Sequence, residues 1–460
     1  MPSSFSLFCR QKAHATMGRN ELDGMKFVSP ELRLILACAR IVTTQKVETS
    51  IREILAEGVD WTLFARKALA HGLAGLAGHT LARVASDMVP HDILTALNVV
   101  IVQTRKGNEA LFDELARVID GLAKKGIDAI PLKGPVLAIQ AFGDLGLRSF
   151  RDLDFLVRDS DLAASIEILR SFGYERNGPL TAAQFDLIHR LQGQEILFKQ
   201  TVGTALEPHT RLTPIKMALD IDYAGLWRRA QPSDLNGRSM LTLAPEDEFI
   251  TLAIHGGKES WWNIKWACDT AAFIASHPKL DWPAIVERAR AQGCFRMVLL
   301  ATSLARQCFG TTIPGPLLDA ERANPTIGSM AGRIIEHWHS DDISGPPSNK
   351  TLSMDRLRLH DGIIRQMHYV LRTLFLPGPQ HVPLIALPSS LSFAYVPIKM
   401  AHDMIALPLW LAYRKASAQV RRVGDVIARS GLAYAVLPAS SETKLIIGRH
   451  QRRAPTQQAF

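Results

Sequence analysis

The spacing of apolar residues changes twice along this chain of 460 residues. Over residues 29–124 apolar side chains recur with the period of one helix face. Between residues 127 and 209 several short apolar runs alternate with polar residues as strands do, and from Pro245 onward the helical spacing returns. The pattern predicts an α/β (α+β) core flanked by N-terminal and C-terminal helical regions.

Glycine, proline and charge mark where these regions begin and end. Ser29 and Pro30 predict the start of the first helix, and one further helix is expected over residues 354–376. Two extended runs, residues 195–198 and 205–209, predict a hairpin. In chain order we expect a disordered N-terminus (1–24), an N-terminal helical region (25–124), the α/β core (125–240), a helical region (241–345), a C-terminal helical and Pro-rich region (346–435) and a loose basic tail (436–460).

Composition limits the class of protein and leaves its partner open. Apolar residues make up 47% of the chain, which excludes disorder as its main state, and the net charge of +9 permits an anionic partner without requiring one. The five cysteines are widely spaced and form no zinc-ligand pattern, so we expect a reduced, cytoplasmic protein. The longest uncharged run, between Arg372 and Lys399, contains five prolines, so we expect no integral membrane association.

The strongest chemical pattern follows the N-terminal helices. Residues 127–132 form a short apolar run that leads into Lys133-Gly134-Pro135, as a strand does when it meets a tight turn at a helix start. Residues 151–157 alternate as a second strand, so Asp152 and Asp154 should project together from one face. Two carboxylates on one face suit Mg²⁺, whose ligands are oxygen atoms. The ordinary alternative for an isolated pair of this kind is a solvated strand face.

Further motifs accompany this pair of acids in a definite order along the chain. They are Leu132-Lys133-Gly134, Phe142-Gly143-Asp144, Arg148, residues 152–157, Glu207-Pro208-His209, His255-Gly256 and Trp266-Ala267-Cys268-Asp269. Each motif alone is weak. The ordered set resembles the uncharacterised bacterial nucleotidyltransferase family of the DNA polymerase β-type nucleotidyltransferase superfamily over residues 60–314. The resemblance implies a nucleotidyltransferase α/β core with a mixed sheet.

The same resemblance implies a reaction and the residues that perform it. A nucleoside monophosphate group would pass from an NTP to an acceptor, with release of pyrophosphate. Asp152 and Asp154 would hold two Mg²⁺ ions, and Glu207 would complete the metal site or accept the proton of the attacking group.

Nucleotide binding is implied for Lys133, for the amides near Gly134 and for Arg148, which would neutralise the triphosphate. For Lys133 and Arg148 the ordinary alternative is a surface cation or an ion pair with Asp144.

Three residues are expected to support this site. His209 shares a strand face with Glu207, whereas His255 and Asp269 lie in the helical region after the core. A histidine beside an apolar face is more often a core hydrogen-bond donor than a ligand, and this alternative stands for both histidines. Pro208 departs from the family pattern. Because proline removes a backbone donor, we expect Glu207 on an edge strand or at a bulge.

Two other functions stay open on the sequence alone. The first is a non-catalytic, nucleotidyltransferase-like binding or scaffold protein. The second is a peripheral membrane or nucleic-acid binder, based on basic residues between 414 and 429, although cations on a solvated helix are the commoner explanation. The acceptor has no sequence signature, so a small molecule, a saccharide, a peptide and a protein all stay open, and nucleic acid is the less favoured partner.

Overall fold

The computed structural model describes residues 28–176, 178–340 and 354–406. The chain divides into two units, Met1–Val396 and Pro397–Phe460, and the sheet with its clustered acids belongs to the first unit. The predicted N-terminal segment at residues 1–24, the basic residues between 414 and 429 and the predicted tail at residues 436–460 lie outside the described residues.

Helices fill the described chain before the first strand. They are α1 (Pro30–Cys38), α2 (Gln45–Ala56), α3 (Trp61–Ala70), α4 (Ala74–Val84) and α5 (His91–Ala123). The predicted start of α1 is confirmed, because the Ser29 hydroxyl accepts a hydrogen bond from the Leu32 amide at 3.4 Å and Pro30 is the first helical residue. Gly126 follows α5 with a φ of +74°, which glycine adopts without strain.

A mixed five-stranded sheet follows α5. Its strands are β1 (Ile130–Leu132), β2 (Asp152–Leu156), β3 (Glu175–Arg176), β4 (Leu197–Lys199) and β5 (Thr204–His209), in the spatial order β1-β2-β5-β4-β3. Strands β2 and β5 are parallel, and the other neighbours are antiparallel. Helices α6 (Gly134–Phe142), α7 (Leu162–Ser171) and α8 (Ala182–Gln192) lie between successive strands of the first four. The strand predicted over residues 151–157 is confirmed as β2. The hairpin predicted from residues 195–198 and 205–209 is confirmed as the antiparallel pair β4 and β5.

The two faces of the sheet have different neighbours. Leu153 and Phe155 of β2 project, with Leu206 of β5, into an apolar core formed with residues of α5 and α7. The alternation predicted for β2 is therefore confirmed, and the acids between these apolar residues belong to the opposite face. On that face lies a smaller apolar cluster of Ile130, Leu132, Leu156, Leu226 and Leu243.

A second hairpin follows the sheet and was not predicted. After α9 (Tyr223–Arg229), strands β6 (Gln231–Leu235) and β7 (Arg238–Thr242) pair with each other in an antiparallel two-stranded sheet. Asn236 and Gly237 connect them with φ values of +51° and +81°. An Asn-Gly pair with both residues at positive φ is the preferred two-residue hairpin turn, so the signal was present in the sequence.

The helical spacing after Pro245 corresponds to α10 (Pro245–Lys258), α11 (Ile264–Ser276), α12 (Trp282–Gln292), α13 (Phe295–Phe309), α14 (Gly315–Arg322) and α15 (Pro325–His339). Residues of α10, α11 and α13 pack with those of α1 and α4 in the largest apolar core of the described chain. The N-terminal and C-terminal helices therefore share one core.

The single helix predicted over residues 354–376 is wrong. The chain forms α16 (Met354–Arg358) and α17 (Gly362–Phe375), with Gly362 at a φ of +74°. At this break the Asp361 carboxylate accepts hydrogen bonds from the amides of Phe295 and Arg296, at 2.7 and 3.0 Å. The turn is stabilised because it caps the N-terminus of α13, a contact that local periodicity cannot indicate.

The Pro-rich stretch after α17 contains short 3₁₀ turns at Val382–Leu384 and Ser389–Ala394, followed by α18 (Tyr395–Ala401) and a π turn at His402–Ala406. Across the described ranges, every helix is too short or too polar to cross a membrane.

Candidate functional site

The parallel pairing of β2 and β5 brings two acids side by side. Asp154 is the register partner of Glu207 across this pair, and it is also paired with Leu132 of β1. His209 lies two residues after Glu207 and therefore on the same strand face. Because β2 and β5 come from parts of the chain about fifty residues apart, the site depends on the sheet topology rather than on one local motif.

Asp154 uses its two carboxylate oxygens differently. The side chain is 6% exposed, and Oδ2 lies 2.8 Å from the Lys133 ammonium nitrogen. Oδ1 has no hydrogen-bond partner among the described residues and lies 3.7 Å from Nε2 of His209. Burial alone would raise the pKa of Asp154, but the Lys133 charge and hydrogen bond and the neighbouring His209 together outweigh it and hold that pKa well below its usual range.

His209 is held so that one ring nitrogen faces the acids. Its Nδ1 lies 3.2 Å from the carbonyl oxygen of Arg211, which can only accept a hydrogen bond, so Nδ1 carries the proton. Nε2 is buried with no hydrogen-bond partner among the described residues, and it lies 3.9 Å from Oε2 of Glu207. Nε2 is therefore the ring nitrogen that faces both carboxylates.

Glu207 has one fixed partner and an unusual pKa. Its Oε2 accepts a hydrogen bond from the Gln194 side-chain amide at 2.7 Å. Burial, followed by the charges of Asp154 and Asp152, raises the pKa of Glu207 to about 8. We refer to Lys133, Asp154, Glu207 and His209 as the acid cluster.

The expected edge or bulge position of Glu207 is wrong, because β5 is a central strand of the sheet. Strand β4 pairs with β5 only at Thr204, Ala205 and Leu206. Beyond them the Pro208 carbonyl accepts a hydrogen bond from the Glu195 amide at 3.0 Å. Proline fits here because it follows the end of the β4 ladder.

The turn after β1 places Lys133 beside the acids. Lys133 has a φ of +51°, rare for a residue with a side chain, and Gly134 follows at +39° as the first residue of α6. Burial would lower the pKa of Lys133, but the charges of Asp154 and Asp152 outweigh this effect and raise it. The alternative ion pair with Asp144 is wrong for Lys133, since Asp144 pairs with Arg105.

Arg148 is committed to protein groups. Its Nε and one terminal nitrogen donate to the two carboxylate oxygens of Asp269 at 2.8 and 2.9 Å, and the other terminal nitrogen donates to the Gly134 carbonyl at 3.2 Å. Both side chains are buried, at 5% and 2% exposure. The ion-pair alternative for Arg148 therefore holds with Asp269 in place of Asp144, and contact with a nucleotide stays a prediction.

The remaining predicted residues lie around the acid cluster. Asp152 begins β2 in an exposed position. Asp269 joins α11 to the glycine turn through Arg148, and its support of the site stays a prediction. His255 packs edge-on against Trp266, with ring centroids 5.5 Å apart. Burial and the nearby Lys133 and Lys258 charges lower the pKa of His255 well below its ordinary value, so its ring is neutral.

Sequence reasoning missed Gln194 and Glu248. Glu248 is buried in the first turn of α10, and its Oε1 has no hydrogen-bond partner among the described residues. Burial raises the pKa of Glu248 to about 7, although the charges of Lys133 and Arg148 oppose the rise. The available signal was its position seven residues before His255, which places both on one helix face.

The geometry fits a divalent cation. Asp154, Glu207 and His209 each offer a ligand atom, and these atoms lie within 4.8 Å of one another. Two of them, Oδ1 of Asp154 and Nε2 of His209, are buried atoms without a hydrogen-bond partner in the described chain, as expected of groups that await a ligand. Asp152 is outside this group of three, and the predicted set of Asp152, Asp154 and Glu207 stays a prediction.

A comparison with curated proteins finds no match to the chain. A family model described as uncharacterised nucleotidyltransferase matches residues 57–310, which is more than half of the chain and includes the sheet, the acid cluster, His255 and Asp269. The chain therefore belongs to this uncharacterised nucleotidyltransferase family.

Proposed function

We propose that the protein transfers a nucleoside monophosphate group from an NTP to an acceptor and releases pyrophosphate, with divalent cations as cofactors. The observation that carries the proposal is the register pairing of Asp154 with Glu207, in a chain of a nucleotidyltransferase family. Like charges held together in a buried site favour a cation between them. Membership of the DNA polymerase β-type superfamily is part of the proposal and is supported by the order of glycine turn, Asp-x-Asp strand and Glu207 strand.

Asp152, Asp154 and Glu207 are the proposed oxygen ligands, and we expect two Mg²⁺ ions. When bound, such ions stabilise charge on the attacking and leaving oxygens of an in-line displacement at phosphorus. Asp154 suits this role because Lys133 and His209 together hold its pKa low and keep its carboxylate ionised at neutral pH.

Lys133 and Gly134 are the proposed triphosphate-binding elements. The Lys133 ammonium lies at the acids, and its side chain is 17% exposed, so it can contact a phosphate that binds there. Gly134 opens α6, and amides at a helix start favour phosphate oxygens. Arg148 contributes indirectly, by holding the Gly134 carbonyl and hence the shape of the turn.

Glu207 is also the proposed proton acceptor. In its ionised form the carboxylate can take a proton from an attacking hydroxyl held beside it, and its register pairing with Asp154 puts it on the same sheet face as that acid. This role requires the acceptor to bind on the same side of the sheet as the acids.

The experiment is a transfer assay on the full chain. Each of the four NTPs, labelled at the α-phosphate, is incubated with Mg²⁺ or Mn²⁺ and with size-fractionated small molecules, saccharides, peptides and proteins. We expect label to move to one class of acceptor, with equimolar pyrophosphate, and to stay on the NTP when EDTA is added. Binding of a non-hydrolysable NTP is measured in parallel by calorimetry.

A chain that neither binds an NTP nor transfers label with either metal would contradict the proposal and favour the scaffold alternative. An exposed acid just beyond β2 provides the control: Asp159→Asn, three residues after the strand ends, should transfer label at the wild-type rate.

A further inference from the structure

The acid cluster holds a nitrogen atom where an all-oxygen magnesium site would have none. Nε2 of His209 faces Oδ1 of Asp154 at 3.7 Å and Oε2 of Glu207 at 3.9 Å. His209 is 6% exposed and Asp154 is also 6% exposed. Both facing atoms lack a hydrogen-bond partner among the described residues, an unfavourable arrangement for buried polar atoms unless a ligand completes it.

Each of these three side chains is oriented by another group. Lys133 binds Oδ2 of Asp154 and leaves Oδ1 free, the Gln194 amide binds Glu207, and the Arg211 carbonyl fixes the protonated nitrogen of His209. Protein metal sites typically have such outer partners, which set the tautomer of a histidine ligand and the direction of a carboxylate. The cluster is therefore organised around Oδ1 of Asp154 and Nε2 of His209, the two atoms without a hydrogen-bond partner among the described residues, with Oε2 of Glu207 beside them.

The choice of donors bears on the identity of the ion. Mg²⁺ prefers oxygen ligands and gives up its water reluctantly, whereas imidazole suits first-row transition metals. Two ligands bonded to one such ion at about 2.1 Å lie roughly 3.0–3.5 Å apart. The separations of 3.7 and 3.9 Å from Nε2 of His209 therefore require these donors to close by up to about 0.9 Å when the ion binds.

We propose that Asp154, Glu207 and His209 form a mixed oxygen and nitrogen site for one divalent transition metal ion, with Mn²⁺ bound more tightly than Mg²⁺. The inference deepens the proposed function, on which it rests for the use of the ion in nucleotidyl transfer. Asp152, which begins β2 in an exposed position, stays available for the second, all-oxygen ion.

The test is Mn²⁺ binding to the full chain, followed by electron paramagnetic resonance. Electron spin-echo modulation detects a nitrogen nucleus bound directly to Mn²⁺, and ¹⁵N-labelled histidine changes its frequency. We expect nitrogen modulation from the wild-type protein that shifts with ¹⁵N-histidine and disappears in His209→Gln. The Mn²⁺ dissociation constant should rise about 10- to 100-fold in this variant, and the preference for Mn²⁺ over Mg²⁺ should shrink.

The control variant is His91→Gln, an exposed histidine at the start of α5, which should keep both the modulation and the affinity. Mn²⁺ bound to the wild-type protein without nitrogen modulation would overturn the inference, and this measurement needs no variant to fold. Nitrogen modulation without any label transfer would overturn the proposed function alone. Label transfer with Mg²⁺ and no nitrogen modulation would overturn the metal inference alone.

Discussion

Two buried groups of charges lie close to each other in this protein, and they differ in how completely their atoms are paired. In the first, Arg148 and Asp269 form a two-bond ion pair, and the remaining Arg148 nitrogen binds the Gly134 carbonyl. In the acid cluster, by contrast, Asp154 and His209 keep buried atoms without a hydrogen-bond partner in the described chain.

The difference separates a structural role from a functional one. A fully paired buried ion pair gains nothing from a ligand and loses much when one partner is removed. A cluster with unpaired buried atoms is unfavourable on its own and becomes favourable when a cation or substrate binds. The same chemical change, aspartate to asparagine, should therefore have opposite consequences in the two groups.

The largest effect is expected for Asp154→Asn. Removing this charge takes a ligand from the proposed metal site, so label transfer should fall at least a thousandfold, which corresponds to roughly 4 kcal/mol in the barrier. The free energy of unfolding should fall by less than in the matched variant below, because Lys133 is partly exposed and removal of Asp154 also relieves the repulsion that raises the pKa of Glu207. Transfer assays and urea unfolding measure the two quantities. A wild-type transfer rate in this variant would show that the reaction occurs elsewhere.

The matched variant Asp269→Asn should show the reverse. It leaves the buried Arg148 guanidinium without its counter-charge, and the free energy of unfolding should fall by about 3–5 kcal/mol. Urea unfolding of this variant and of Asp154→Asn under the same conditions provides the comparison. Equal losses of stability in the two variants would contradict the distinction between the groups.

A third buried acid, Glu248, should make the stability of the folded protein depend on pH. Because its pKa is raised to about 7 in the folded protein, the folded state binds a proton between about pH 4.5 and 7 that the unfolded chain has released. Stability therefore falls as pH rises through this window. Glu248→Gln removes the effect, so at pH 8 this variant should be more stable than wild type by about 2–3 kcal/mol, and at pH 4 the two should be similar. Thermal unfolding at both pH values measures this, and a constant difference would exclude Glu248 as the cause.

The smallest effect is expected for Lys133→Ala. Loss of a charge-assisted contact with phosphate should weaken binding of a non-hydrolysable NTP ten- to a hundredfold, or about 1.5–3 kcal/mol. Lys133→Arg should recover only part of the affinity, because the planar guanidinium of arginine keeps the charge but does not reproduce the compact ammonium of lysine. The exposed Lys125 provides the control variant Lys125→Ala. Unchanged affinity in Lys133→Ala would assign phosphate recognition to other residues.

Much of the fold and part of the site followed from sequence pattern. Alternation in β2 predicted that Asp152 and Asp154 share a face, and the predicted hairpin supplied the strand of Glu207. Periodicity could not show that Asp154 is buried while Asp152 is exposed, because that depends on the neighbouring strands and on Lys133.

Other features were beyond local pattern for a similar reason. The partner of Arg148 is 121 residues away in the chain, and the break before α17 exists because Asp361 caps a different helix. The orientation of His209 depends on the Arg211 carbonyl, which only the folded backbone defines. The Asn236-Gly237 turn is different, because this dipeptide is a local signal that by itself predicts the second hairpin.

The central claim is that Asp154 and Glu207, one on each of two paired strands, act as a single centre for metal and nucleotide. Its most direct test is a double-mutant cycle on metal-dependent NTP binding, measured by calorimetry for wild type, Asp154→Asn, Glu207→Gln and the double variant. If the two carboxylates share one cation, the double variant should bind almost as well as the weaker single variant, so that the losses are strongly non-additive. Losses that add within about 0.5 kcal/mol would mean that the two acids act independently, and would contradict the account.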